Sequence, residues 1–165
     1  NRSVEEIVNA AIQEDVQGIA ISSYQGGHVE FFKYCYDLLN EKGAGHIRIY
    51  GGGGGVITPP EIRELHEYGI ARIFSPDDGR EHGLQGMIDQ MLKECDFPTV
   101  DQVSEELTSL KEKNARAVAR CISYAELHAE AKKEVAATLE ETLDQLKQMT
   151  NNVPVLGITG TGGAG

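Results

Sequence analysis

Two short windows, residues 51–55 and 157–165, hold ten of the 19 glycines in the chain. Within the second window, Gly160 and Gly165 have the spacing of a Gly-x-x-x-x-Gly phosphate loop, whose backbone N–H groups surround a phosphate. The lysine and the hydroxyl residue that complete this motif would follow Gly165. We therefore predict a partial nucleotide-binding loop that consists of Gly160, Thr161, Gly162, Gly163, Ala164 and Gly165.

Three other stretches of small or polar residues each follow a short apolar run: "SSYQGGH", "GGGGGVI" and "SPDDG". Small side chains allow backbone amides and hydroxyl groups to approach a flat or phosphorylated ligand closely. In open parallel sheets, ligands bind at the carboxyl ends of the strands. If the three apolar runs are neighbouring strands, these loops lie at one edge and predict a single site for a large ligand.

The elements that position these loops alternate between helix and strand. Helical patterns begin at "SVEEIVNAAIQED", "HVEFFKYCYDLLNEKG", "TPPEIRELHEYG" and "REHGLQGMIDQMLKE", and the strands are "VQGIAISSY", "HIRIY" and "IARIF". Ser3 with Glu6, and Thr58 with Glu61, have the spacing of capping boxes at helix starts. This order predicts an α/β fold with parallel strands joined by helical crossovers.

Three strands are few for a doubly wound sheet, which normally has five or more. We therefore expect an incomplete flavodoxin-like or Rossmann-like parallel sheet in residues 1–97, with one or two strands preceding residue 1. Such a sheet is the predicted first domain of the chain.

Residues 98–150 carry apolar residues at helical spacing and no strand pattern. Pro98 ends the preceding helix, and Thr99 with Gln102 has capping-box spacing. Val118, Ala119, Ile122 and Leu139 belong to the apolar stripe. The segment predicts two or three amphipathic helices that form a linker, a partner-binding hairpin or a simple packing layer.

Residues 151–165 begin a further strand with "NNVPVLGIT" and continue into the predicted phosphate loop. They are expected to be the start of a P-loop nucleotide-binding domain.

The formal net charge of −11 at pH 7 is concentrated in residues 1–97, which carry 16 acidic and 8 basic side chains. An acidic surface repels phosphate groups, so nucleic acid and anionic membranes are not expected as partners. No apolar run reaches the ~20 residues of a membrane span, and no secretion signal is present. Three widely spaced cysteines suggest reduced thiols and a cytoplasmic location.

The three loops together resemble the cobalamin-binding domain of adenosylcobalamin-dependent acyl-CoA mutases. In that family, a Ser-x-Leu motif and a Gly-Gly motif line the slot for the dimethylbenzimidazole tail of the cofactor. Ser22 matches the motif serine, and Tyr24 stands where leucine is usual. The resemblance implies that the cofactor-binding residues are Ser22, Tyr24, Gly26, Gly54, Gly55, Phe74, Ser75 and Pro76.

The family also carries an Asp-x-His-x-x-Gly loop whose histidine binds cobalt, and this loop is absent from the chain. The resemblance therefore implies that the cobalt-ligating histidine lies upstream of residue 1. None of the five histidines present is assigned to a metal, and no residue is assigned a catalytic role.

The chain has a cobalamin-like domain, then helices, then a strand with a glycine-rich exit. This domain order resembles that of the fused isobutyryl-CoA mutases, in which a metallochaperone GTPase lies between the cobalamin and substrate domains. This resemblance implies a radical isomerase that interconverts isobutyryl-CoA and n-butyryl-CoA, with adenosylcobalamin, GTP and Mg²⁺ as cofactors. It also implies an acyl-CoA substrate domain in the same polypeptide, and a homodimer. The segment alone is not expected to be catalytic.

Two alternatives rest on the same residues. One is a flavodoxin-like module that binds FMN or another phosphate ligand. The other is an acidic interaction module whose helices bind a partner protein.

Overall fold

The computed structural model describes residues 2–130, 137–149, 154 and 156–157. The strands are β1 (Gly18–Ser22), β2 (Arg48–Gly52) and β3 (Arg72–Phe74). The helices are α1 (Val4–Gln13), α2 (His28–Glu41), α3 (Pro59–Tyr68), α4 (Pro76–Cys95), α5 (Ser104–Ser109), α6 (Ala115–Glu130) and α7 (Ala137–Met149), and a 3₁₀ turn spans Leu110–Glu112. Among the described residues, no helix combines the length and hydropathy needed to cross a lipid bilayer.

The strands form one parallel sheet in the order β1-β2-β3. In register, Ala20 lies beside Tyr50, and Ser22 lies beside Gly52, which in turn lies beside Phe74. The predicted α/β class with parallel strands is confirmed.

Local capping explains where two of the helices begin. Ser3 Oγ accepts the Glu6 N–H, and the Glu6 carboxylate accepts the Ser3 N–H, so the predicted box at α1 is present. At α3, the Glu61 carboxylate accepts the Thr58 N–H at 2.7 Å. Both boxes were predicted from spacing and both are confirmed.

Two boundaries differ from the sequence prediction. Strand β2 continues through Gly51 and Gly52, which were predicted to lie in a loop. Helix α4 begins at Pro76, so the predicted turn "SPDDG" is instead the first turn of a helix. The physical reason is a capping box in which Ser75 and Asp78 satisfy each other's backbone N–H groups.

The two faces of the sheet are covered differently. Ile49 and Ile73 point into the main core, where they join buried side chains from α1, α2 and α3, among them Val8, Phe32 and Leu65. Ala20, Ser22, Tyr50, Gly52 and Phe74 alternate with these residues and face the opposite side, under α4. No residue of α4 is fully buried, so this helix covers the sheet loosely.

Residues 98–130 form a second, smaller core of Val100, Val103, Cys121 and Tyr124, with Leu107 and Leu110 packed against it. Helix α6 packs against α1. Within the described residues, the helical character predicted for 98–150 is present. Most of the strand predicted from residue 151, and all of the loop 160–165, lie outside the residues described.

Two details of this segment were predicted wrongly. The first helix begins at Ser104 rather than at Thr99, because the Thr99 hydroxyl is hydrogen-bonded to the buried carboxylate of Asp15 instead of capping a helix. Of the α6 residues assigned to the apolar stripe, Ala119 is buried, but Val118 and Ile122 are 40% and 54% exposed. The other buried hydrophobic residues described in α6 are Ala117, Cys121 and Tyr124.

Candidate functional site

A slot of about 510 Å³ lies between the sheet and α4, at the carboxyl ends of the strands. Its floor is the face that carries Ala20, Tyr50 and Gly52, and its roof is formed by Met87 and Met91 of α4. Sheet and helix together enclose a narrow, mostly apolar space. The complete lining is Ala20, Ile21, Ser22, Tyr24, Tyr50, Gly51, Gly52, Gly53, Gly54, Phe74, Ser75, Pro76, Gly79, Leu84, Met87, Ile88 and Met91.

Six of the eight residues predicted to bind the cofactor line this slot: Ser22, Tyr24, Gly54, Phe74, Ser75 and Pro76. Gly55 lies at its mouth, where a Cβ atom would stand 3.4 Å from Pro76 Cγ. Gly26 does not line the slot but a neighbouring depression beside the start of α1, which shares Ser22 and Tyr24 with the slot. The structure therefore brings the exits of the three strands together, as expected, and places Gly26 in this neighbouring depression.

Glycine keeps one wall of the slot free of side chains. A Cβ atom on Gly52 would lie 3.4 Å from the Phe74 carbonyl, and one on Gly54 would lie 3.0 Å from the Tyr24 ring. Gly54 and Gly55 also have φ values of +58° and +93°, which strain residues that carry a side chain. Any substitution on this wall therefore occupies ligand space or distorts the loop.

The two serines of the site differ in their hydrogen bonding. Among the described residues, nothing hydrogen-bonds the Ser22 hydroxyl, so it is available to a ligand at the mouth of the slot. The Ser75 hydroxyl donates to Asp78 Oδ2 at 2.6 Å and accepts the Asp78 N–H, so it caps α4. Tyr24 stands where the resembling mutases have leucine. Its side chain is 68% exposed, and its ring lies beside Gly54.

The carboxylate of Asp78 anchors the start of α4 to the sheet. It accepts hydrogen bonds from the Ser75 N–H and hydroxyl, and it pairs with the Arg72 guanidinium. Burial raises the pKa of this carboxyl group, but the hydrogen bonds from Ser75 and the charge of Arg72 lower it more, to about 2. Asp78 is therefore ionised at neutral pH and holds the mouth of the slot in place.

The inner end of the slot is closed by Tyr50. Its hydroxyl donates to Glu94 Oε2 at 2.9 Å, and the Cys95 thiol donates to the Tyr50 hydroxyl oxygen at 3.6 Å. Burial, followed by these two contacts, raises the pKa of Tyr50, so it stays a neutral donor. Behind the ring lies a second cavity of about 250 Å³, which shares Ala20, Tyr50 and Met91 with the slot.

The sequence interpretation missed Tyr50 and the α4 roof. Met87, Ile88 and Met91 have helical spacing, which signals an apolar helix face but does not indicate what the face covers. Tyr50 immediately precedes the glycine run, and its alternation with Ile49 is the signal that it faces away from the core.

No protein-family model matches the chain. A fused isobutyryl-CoA mutase of Geobacillus kaustophilus (strain HTA426) is 70% identical over the whole chain, which covers 15% of that protein. The fused isobutyryl-CoA mutase of Cupriavidus metallidurans is 54% identical, again over the whole chain and over 14% of that protein.

A shorter relative is the 2-hydroxyisobutanoyl-CoA mutase small subunit of Aquincola tertiaricarbonis. It is 32% identical over 77 residues, which are 47% of this chain and 55% of that subunit. The resemblance to the fused isobutyryl-CoA mutases is confirmed: along its whole length, this chain matches one segment of these proteins, about 15% of their length.

Proposed function

We propose that this chain is part of an adenosylcobalamin-dependent acyl-CoA mutase and that its slot binds the nucleotide tail of the cofactor. The observation that carries the proposal is the slot itself: a mostly apolar space between a glycine wall and the methionines of α4, with the Ser22 hydroxyl unpaired at the mouth among the described residues. The relatives are mutases, which are isomerases, and this supports the reaction class.

The residues present fit a flat, mostly neutral heterocycle such as dimethylbenzimidazole. Gly52 and Gly54 carry no Cβ atoms that would take up space along this wall. The backbone can therefore lie directly against the face of a ring. Met87 and Met91 supply a polarizable surface on the other side of the slot. Ser22 would donate to or accept from the edge of the ring, which fixes its orientation.

When bound, adenosylcobalamin supplies a carbon-centred radical through homolysis of its cobalt–carbon bond. The residues of this chain would bind and orient the cofactor. Met87 and Met91 would lie against the bound tail, and the Asp78–Arg72 ion pair would hold the start of α4 beside the mouth of the slot.

The remaining parts of the assignment belong to the same proposal. The family resemblance supports isobutyryl-CoA as the substrate, an acyl-CoA domain in the same polypeptide and a homodimer. The reduced cysteines support a cytoplasmic location. Residues 151–165 would begin a GTPase domain, whose loop 160–165 would help to hold the nucleotide together with Mg²⁺. In the complete protein, changing the lysine expected soon after Gly165 to alanine should remove most GTP binding, measured by equilibrium titration.

Titration of the complete apoprotein with adenosylcobalamin tests the central assignment. We expect saturable binding with a change in the visible spectrum of the corrin, and no binding of FMN under the same conditions. FMN binding without cobalamin binding would instead support the flavodoxin-like alternative and contradict the proposal.

A further inference from the structure

His28, the first residue of α2, is almost completely buried, with 6% of its surface exposed. It follows the loop 23–27 that connects β1 to α2 and carries Tyr24. The histidine does not line the slot; it lies beneath the depression that contains Gly26. A buried imidazole at this position needs partners for both ring nitrogens.

The first nitrogen is committed as a donor. His28 Nδ1 lies 3.1 Å from the carbonyl oxygen of Gln25, within the same loop. A carbonyl oxygen only accepts hydrogen bonds, so Nδ1 must carry a hydrogen atom. In a neutral imidazole, the other nitrogen would then have a bare lone pair.

The second nitrogen faces a carboxylate. His28 Nε2 lies 3.2 Å from Glu61 Oε1 of α3, but this contact is not aligned as a hydrogen bond, and the buried nitrogen has no other hydrogen-bond partner among the described residues. A lone pair facing a carboxylate is repulsive, whereas a second proton on the ring makes the contact an ion pair. The contact with Glu61 is therefore attractive only when the imidazole carries a second proton.

Glu61 connects this histidine to the next strand exit. Its other oxygen, Oε2, accepts the Thr58 N–H at 2.7 Å and the Thr58 hydroxyl at 2.6 Å, which fixes the start of α3. Thr58 directly follows residues 53–57, the exit of β2 that contains Gly54 and Gly55. One carboxylate thus binds His28 with one oxygen and caps the helix after the glycine wall with the other.

We propose that protonated His28 is a positioning residue that ties the β1 exit loop to the β2 exit loop through Glu61. The two loops carry Tyr24 and Gly54, which contact each other across the mouth of the slot. Among the described residues, the groups that contact the imidazole are the Gln25 carbonyl from its own loop and Glu61 from α3, and Arg2 lines the same depression. Loss of the proton from His28 removes its ion pair with Glu61, and the two loops on either side of the mouth become less rigid. The consequence for cofactor binding rests on the function proposed above; the tie itself does not.

Hydrogen exchange of the complete apoprotein tests the tie without any cofactor. Between about pH 6 and pH 9, a range that includes and extends above the ordinary imidazole titration, protection of the hydrogen-bonded amides of Ser23, Val56 and Thr58 should fall about tenfold after correction for intrinsic exchange. The Glu61→Gln variant keeps a capping-box residue, and its side-chain amide can donate to neutral His28. Its protection should be independent of pH. His28→Asn should show low protection throughout the range, and His82→Asn, at an exposed histidine, should behave like the parent.

A parent protein whose corrected protection is constant with pH would overturn the proposal, as would a Glu61→Gln variant that keeps the pH dependence. Adenosylcobalamin titrations of the same proteins separate the two inferences. If the function is correct, affinity in the parent should fall about three- to tenfold over the same range, and Glu61→Gln should abolish this dependence. Protection that responds to pH in a parent that does not bind cobalamin would support the tie and contradict the proposed function.

Discussion

Asp78→Asn removes the charge that holds the start of α4 to the sheet. In the parent, the carboxylate pairs with Arg72 and accepts two hydrogen bonds from Ser75. The asparagine side chain is almost the same size, so the substitution changes charge without opening a cavity. We expect the protein to fold and to be less stable.

The magnitude follows from the titration of this group. The pKa of Asp78 is lowered from 3.8 to about 2, and each pKa unit corresponds to about 1.4 kcal/mol, so the ionised form contributes about 2 kcal/mol at neutral pH. Its side chain is 14% exposed, so solvent screens the contribution only partly. A loss of this size should lower the melting temperature by roughly 5 °C.

The pH dependence supplies a second check on the same number. Because the folded-state pKa lies below the unfolded one, the contribution is complete above about pH 4 and is lost as the pH falls through about 2. The parent and Asp78→Asn should therefore differ by about 2 kcal/mol at pH 7 and converge near pH 2. Urea unfolding followed by circular dichroism at several pH values measures both.

Asp77→Asn is the matched control. Asp77 is the neighbouring residue in the same first turn, and it pairs with Arg80 while their side chains are 83% and 78% exposed. This substitution should change stability by less than about 0.5 kcal/mol. Equal losses for the two variants, or a difference between parent and Asp78→Asn that persists near pH 2, would refute the reasoning.

Two further predictions concern the core. Burial and the charge of Arg72 lower the pKa of His66, whose Nε2 accepts the Ile73 N–H at 2.9 Å. The folded protein therefore favours the neutral ring, and its stability should decrease as the pH falls below the ordinary histidine pKa of about 6.5. An NMR titration midpoint of His66 at or above that value would contradict this prediction. Gly51→Ala should cost about 1–3 kcal/mol in chemical unfolding because the new methyl group would overlap the Phe32 ring. Gly52→Ala is its control: it points to the opposite face, with 3.4 Å to its nearest neighbour, and a loss equal to that of Gly51→Ala would count against the assigned faces.

The helix starts that were predicted correctly depend on residues close in sequence. Ser3 with Glu6, and Thr58 with Glu61, satisfy each other's backbone groups within one turn, so their spacing contains the necessary information. The cap at Ser75 was missed because its partner is an aspartate rather than the usual glutamate or glutamine.

The features that could not be predicted depend on contacts distant in sequence. Thr99 has the spacing of a helix cap, but its hydroxyl contacts Asp15, which lies 84 positions earlier in the chain. The roof of the slot also depends on residues that are distant in sequence. Met91 and Tyr50 line the same slot because α4 packs across the sheet. The loops that form the mouth were predictable because parallel strands bring their exits to one edge.

The most direct test of the central claim is the affinity of the complete apoprotein for two corrins, with Gly52→Val compared with the parent. Gly52 lies in a strand, where valine is well tolerated, and its side chain would enter the slot beside Phe74. If the slot holds the nucleotide tail, Gly52→Val should weaken cobalamin binding by more than about tenfold. It should leave unchanged the affinity for cobinamide, which lacks the tail. Unchanged cobalamin affinity in a folded Gly52→Val protein, or an equal loss for both corrins, would contradict the assignment.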